Sequence, residues 1–580
     1  MKKYLLVLVG LCCVLSYALA ERPDYPELKK SDANIIGHVL DKKTKEHLPY
    51  ITIALKGTTI GTVTDATGHY FLKNLPEGNF ILEVSSVGYK TVTRNVTLKK
   101  GKTLEEDFEI EEDAIALDGV VVSANRSETT RRMAPTLVNV VDLKLFETTN
   151  SSTLSQGLNF QPGVRVETNC QNCGFQQVRI NGLDGPYTQI LIDSRPVFSA
   201  LSGVYGLEQI PASMIERVEV MRGGGSALFG SSAIAGTINI ITKEPLRNSG
   251  QLSHTITSLG GSSSFDNNTS LNASLVTDDH RAGLYIFGQN RYRSGYDYDG
   301  DGFTELPKLK NQTVGFRSYL KTSTYSKLTF EYHHMQEFRR GGDMLNRPPH
   351  EAHIAEQLQH SIDGGSLKFD YFSPDEKNRL SVFASAANTD RDSYYGPGND
   401  PLKAYGKTTD LTAMGGAQYV HTFDKCFFMP SDLTAGLEYN RDRLKDNMWG
   451  YNRHTDQTVN IYSAFLQNEW KNDRWGILIG GRLDKHNMVD NVIFSPRANL
   501  RFNPTQNINL RLSYSSGFRA PQAFDEDMHI ENVGGTVAMI ERAKDLKEEK
   551  SQSFSVSADM YHRFGAFQTN LLIEGFYTRL

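Results

Sequence analysis

Several groups of residues in this chain are of types that could do chemistry. The stretch YDYDGDGFTELP sets Asp297, Asp299 and Asp301 at alternate positions, with Gly302 next and Glu305 beyond. That is the first half of a calcium loop, D-x-D-x-D-G, in which carboxylates and a turn glycine wrap a hard cation. Lys308 stands where the closing bidentate Glu belongs, and a solvated acidic loop accounts for the spacing nearly as well. His333, His334, His350, His353 and His360 crowd one segment, and imidazoles can ligate haem iron or a transition metal. Only His350 and His353 stand at ligand-like spacing, and loop histidines are also ordinary.

Cys170 and Cys173, in NCQNCGF, are close enough in sequence for a local disulfide. A thioredoxin-like role would need a βαβ context, and none is visible. A zinc site would need two more ligands nearby, where the chain offers Asn, Gln and Gly. A disulfide or a pair of ordinary thiols is the expectation. The glycine run in IERVEVMRGGGSALFGSSAIAGTINIIT fails as a phosphate loop, because Ser231 follows Gly230 where a Lys is required. The flanking segments are strand-like, so these glycines read as turns and close packing. No Ser/His/Asp, Cys/His or paired-carboxylate set suggests catalysis, and the chain does not read as an enzyme.

The elements that must position these residues belong to an exported β-protein. The chain has 580 residues and a formal net charge of −5, which argues against nucleic acid as a partner. Its one long apolar run is N-terminal: Lys2 and Lys3, then YLLVLVGLCCVLSYALA. This reads as a signal peptide over 1–20, cleaved before Glu21, with a linker over 21–33. An exported chain without membrane helices can cross a membrane only as a closed β-barrel.

Residues 34–113 alternate as short strands with turn signals, the pattern of a small β-sandwich. The series G-H-V, G-T-T-I-G-T-V-T-D-A-T-G, L-P-E-G and S-S-V-G-Y resembles the carboxypeptidase regulatory-like domain. The resemblance implies a fold without a catalytic centre. A connector over 114–126 follows, and it contains DGVVVSA. This short extended apolar segment suits strand addition to a partner's sheet edge.

The stretch 127–246 carries LNFQPGVRV, VRINGLDGPYTQILIDSRPV and the glycine-rich run in order. It resembles the α+β plug domain of TonB-dependent outer-membrane receptors. That resemblance identifies Asp118, Val120, Val121, Val122, Ser123 and Ala124 with the TonB box. It also implies an apical loop near PVFSALSGVY, making Tyr187, Phe198 and Tyr205 candidate ligand contacts. Packed loop aromatics are the alternative.

From 247 to 580 the chain alternates apolar and polar residues, as in INLRLSY and FSVSADM. Ile508, Leu510, Leu512 and Tyr514 should face one way and Asn509, Arg511 and Ser513 the other. About fifteen such segments indicate a large antiparallel outer-membrane β-barrel. The fold class is therefore mainly β. Relatives of this type have about 22 strands, so the barrel reads as incomplete by roughly seven.

The box FRAP, Phe518 to Pro521, followed by His529 resembles haem receptors of the superfamily. AKDLKEEKS departs from their second box, and GFRAP also occurs in siderophore and cobalamin receptors. The resemblance implies energised uptake of a scarce bulky nutrient from the cell outer membrane. An iron complex, siderophore or haem, leads; cobalamin, another chelate, a glycan, a non-transporting surface role or a non-functional fragment are the alternatives. The implied partners are the TonB complex, outer-membrane lipid and the small-molecule ligand, with candidate ligand contacts also at His350, His353 and His529. No cofactor is implied beyond calcium at the acidic loop.

Overall fold

The computed structural model describes residues 30–580 apart from 66, 87–88, 112–119, 171, 197–207, 209, 278, 398–403, 534–535, 544 and 565–566. Two small sheets open the described chain. One is built on Lys30–Asp41, paired with His69–Pro76, Thr103–Glu105 and Phe108–Ile110; the other runs in the order Gly61–Val63, Thr52–Leu55, Gly78–Ser85, Val92–Leu98. Alternate residues Ile35, Val39, Ile53, Leu55, Leu72, Leu82, Val84 and Phe108 meet in one core, as period-2 patterning dictates.

The next unit is centred on a four-stranded sheet in the order Val138–Asp142, Ile215–Arg222, Gly236–Thr242, Thr188–Ile192. Its two middle strands are near-continuously buried, as strands covered on both faces must be. Gly236 is needed where it stands. Its φ is 155°, and a Cβ there would collide with the Met221 carbonyl. A hairpin, Val164–Cys170 with Phe175–Ile180, projects from this unit.

Fifteen antiparallel strands follow, each hydrogen-bonded to the next in sequence along the sheet from Ser249–Ser258 to Phe567–Arg579. The count matches the number of alternating segments read from the sequence. The polarity of the sheet is inverted relative to a soluble protein. Leu510 and Leu512 are 37% and 52% exposed on the outer face, whereas Asn509 and Arg511 are 0% and 3% exposed. Phe554 and Val556 likewise face out while Ser557 and Asp559 are buried. An apolar outside and a polar inside are what lipid requires of a barrel wall. No described helix is long and apolar enough to cross a membrane.

The wall curls around the plug-like unit, which it contacts from widely separated strands. Arg317 pairs with Asp193, Arg339 with Glu208, Glu438 with Arg126, and Glu574 with Arg222. Connections alternate in length: two residues join Lys308–Ser323 to Ser326–Gly342, while 343–353 and 520–548 are long. The N-terminal sandwich sits at the short-turn end. There Thr59 donates to the Thr324 carbonyl at 2.9 Å, and Thr62 meets His280 at 3.2 Å.

Candidate functional site

Two regions of the interior are built for more than packing, one at each end of the wall. At the short-turn end the chain enters the plug through Val120–Val121, a two-residue strand paired with Thr129–Thr130. The amides of Val122 and Ser123 each donate to Glu219 Oε2 at 2.9 Å, and the Ser123 hydroxyl donates at 2.7 Å. Asn239 completes the latch by donating to Ser123 Oγ. Val121 and Ala124 are fully buried against Leu191, Met221, Leu228 and Phe229. The segment expected to be freely available is thus folded back on the plug from Val121 to Ala124. Asp118 lies outside the described residues.

Just beyond, the wall takes hold. Arg126 is ion-paired with Glu438 and lies over the rings of Phe229 and Phe465. Asn125 donates to Glu469 and accepts through its carbonyl from Gln467. Arg497 donates to the Ala124 carbonyl at 3.0 Å.

At the long-loop end, the tip of the plug hairpin meets the wall. Cys170 donates to Glu356 Oε2 at 3.1 Å, and Cys173 Sγ lies 3.4 Å from His529 Nε2. His529 Nε2 is in turn 3.5 Å from the same Glu356 oxygen. Of the two alternatives the sequence left open, a disulfide or a pair of thiols, the structure holds both cysteines as free thiols. Each sulfur is also engaged by a polar partner brought in from the barrel. Cys173 and Glu356 are buried, and Phe175, Leu358, Tyr395 and Met448 surround them with apolar surface. The His529 ring is held between Phe175 and the edge of Tyr395, both at 5.3 Å. Hydrogen bonding to Cys173 holds Cys170 down to about 7 against the effect of burial. Burial opposes a charged His529, but Cys170 and Glu356 outweigh it and push the imidazole up to about 10.

The other expected residues do not converge here. His350 bonds the Tyr405 hydroxyl at 2.9 Å, and His353, exposed, bonds Asp343 at 2.6 Å. His334 pairs with Asp363, and His360 faces Glu337. Asp297, Asp299 and Glu305 bring oxygens within 4.8 Å of one another, but Asp301 is not among them. Asp301 instead accepts from the Phe303 amide, and Asp297 from Gly300 and Gly302. Tyr187 packs against the plug core with Arg519 above its ring. Phe198 and Tyr205 lie outside the described residues.

Sequence reasoning missed Glu219, Glu356 and Glu208. Glu208 faces Arg291, Arg293 and Arg339 of the wall at 3.4, 3.2 and 2.8 Å. The signal for all three is tertiary, since no local spacing links a carboxylate to partners so far away along the chain. Cavities between plug and wall are modest. One beside Gly230, Glu438 and Arg482 holds about 180 Å³, and another beside Glu208 and Arg291 about 280 Å³. Both are below the roughly 300–1,000 Å³ of a small-molecule pocket.

Comparison with known proteins agrees with this geometry. Residues 35–122 match the CarboxypepD_reg-like domain, 130–237 the TonB-dependent receptor plug domain, and 239–580 the TonB dependent receptor-like beta-barrel. The chain is 24% identical over 425 residues to the vitamin B12 transporter BtuB of Vibrio vulnificus strain CMCP6, covering 70% of this chain and 64% of that protein. It is 33% identical over 174 residues to BtuB of strain YJ016, covering 29% of this chain and 28% of that one. The alignments therefore span less than two thirds of the length of these curated relatives. The crystal structure of the siderophore receptor PirA from Acinetobacter baumannii superposes with a TM-score of 0.66 at 19% identity, covering 77% of this chain and 71% of that one. A ferric enterobactin receptor, PfeA of Pseudomonas aeruginosa, gives 0.60 at 18%, covering 74% and 70%. With the barrel match spanning more than half of its length, the chain belongs to the TonB-dependent receptors and carries a carboxypeptidase regulatory-like domain ahead of its plug.

Proposed function

We propose that this protein is an outer-membrane receptor that imports a scarce, bulky nutrient using energy delivered through TonB. The observation that carries this reading is the latched segment Val120 to Ala124, held at the short-turn end between the N-terminal domain and the plug. An extended segment held by a two-residue ladder and one carboxylate can be exchanged for a partner's strand. Ligand enters from the long-loop end, where Tyr187, His350 and His353 are candidate contacts, and the plug rearranges to let it through.

An iron complex, siderophore or haem, is the favoured cargo, in keeping with the likeness to siderophore receptors. Cobalamin is the second reading, because the curated relatives named above are vitamin B12 transporters. Deleting residues 118–124 tests the mechanism: uptake should be lost while ligand binding to whole cells persists. Uptake that survives the deletion would overturn it. Growth of a strain lacking the gene on haem, ferric siderophores or cobalamin as single limiting sources separates the cargoes.

A further inference from the structure

Cys170, Cys173, Glu356 and His529 come from three distant parts of the chain, yet their ligand atoms all lie within 4.8 Å of one another. Two thiols, an imidazole and a carboxylate form a complete four-donor set for zinc. Metal–ligand bonds of about 2.0–2.3 Å in a tetrahedron put neighbouring donors roughly 3.3–3.8 Å apart. The 3.1 Å from Cys170 to Glu356, 3.4 Å from Cys173 to His529 and 3.5 Å from His529 to Glu356 are close to those edges. Little rearrangement separates this cluster from a coordination shell.

The surroundings also favour a metal. The imidazole is fixed by Phe175 and Tyr395, and Tyr395 is the cross-strand partner of Glu356. One aromatic residue thus positions two donors. Gly341 pairs with Glu356 on the other side, and its missing side chain lets the backbone of Asn172, within the C-x-x-C turn, reach the wall. A Cβ there would strike the Asn172 carbonyl. The donors' softness excludes calcium and magnesium, and a carboxylate beside two thiolates suits Zn²⁺ better than Cu⁺.

The geometry points to a zinc site at this seam, tying the plug hairpin to the barrel strand Ile354–Phe372 and to the long loop that carries His529. The site does not depend on what the receptor imports. On binding, the thiols give up their protons and His529 binds as the neutral imidazole, so protons are released to solvent.

The test uses the full chain folded in detergent micelles, stripped with chelator and freed of reductant. Zn²⁺ is titrated by competition with a chromophoric chelator, and Co²⁺ serves as a spectroscopic probe. One Zn²⁺ per chain is expected, with tetrahedral Co²⁺ absorption and a thiolate-to-cobalt charge-transfer band. Cys170→Ser with Cys173→Ser should abolish both. Glu356→Gln and His529→Asn should each weaken Zn²⁺ by at least the roughly 10–100-fold that loss of a ligand's hydrogen-bond partner costs. Asp297→Asn with Asp299→Asn should change nothing. Wild-type protein supplies a test that needs no variant: Zn²⁺ should shield two thiols from maleimide and leave Cys426 reactive. Substoichiometric zinc, octahedral cobalt without charge transfer, or binding that survives the double serine change would overturn the site. So would a Cys170–Cys173 disulfide that persists in the folded chain under reductant.

Discussion

Ser123 donates its hydroxyl to Glu219 at 2.7 Å, and neither residue has any exposed surface. One carboxylate oxygen thereby accepts three bonds from the entering segment, two of them from backbone amides. Bonds to a charged acceptor are the strong kind, so most of the segment's attachment rests on one side chain.

Glu219→Ala should therefore free the segment while leaving the plug folded. Loss of the charged acceptor costs about 2–4 kcal/mol, which corresponds to roughly 30–1,000-fold more frequent local opening. Hydrogen exchange at the amides of Val122 and Ser123 reads this directly. Unchanged protection there would mean that burial of Val121 and Ala124 holds the segment alone.

Acid should loosen the plug at its contact with the wall. Burial works against a charged Glu208, yet Arg293, Arg339 and Arg291 outweigh it and hold its carboxyl down to about 2, from an ordinary 4.5. A depressed carboxylate contributes stability that is present above its unfolded value and lost as pH falls through its folded one. The contribution should fade between about pH 4.5 and 2. Limited proteolysis of the plug across that range should show the loss, and Glu208→Gln should flatten it.

Gly341→Val should push the hairpin tip off the wall. The added side chain meets the backbone of Asn172 rather than a flexible group, so the tip must move. Zinc affinity should fall with no ligand altered, and maleimide should reach Cys173 faster than in the parent protein.

Glu438→Ala should open the seam beside Arg126. Glu438 bonds both Arg126 and Arg482 at 2.5 and 2.7 Å with all three side chains buried. Removing one partner of a buried pair costs roughly 3–5 kcal/mol, because a charge is left without compensation. Arg482 keeps Asp484, so the loss should concentrate on Arg126 and appear as faster exchange near residues 124–127.

The fold was legible where the chemistry is local. Period-2 alternation located the wall strands, and INLRLSY faced as its pattern required, with Leu510 and Leu512 out and Asn509 and Arg511 in. The plug was legible through ordered motifs whose glycines answer steric demands, Gly236 among them. The seam sites were not legible, because their halves are separated by 186 residues for Cys170 and Glu356 and by 356 for Cys173 and His529. A zinc reading of NCQNCGF fails when only neighbours in sequence are counted. Likewise DGVVVSA shows that a segment can extend, but not that Glu219 waits to receive it.

The ladder between Val120–Val121 and Thr129–Thr130 has a mechanical consequence. It offers two registered positions, against seven between Ile215–Arg222 and Gly236–Thr242. Tension applied from the N-terminal side would peel this ladder and the Glu219 bonds first. That frees residues 120–124, whose full reach is roughly 17 Å. The load then arrives at Asn125 and Arg126, which are moored to the wall rather than to the plug sheet. Once that latch has opened, traction on this segment falls on the seam between plug and wall, and the plug's own strand pairing is spared until that mooring slips.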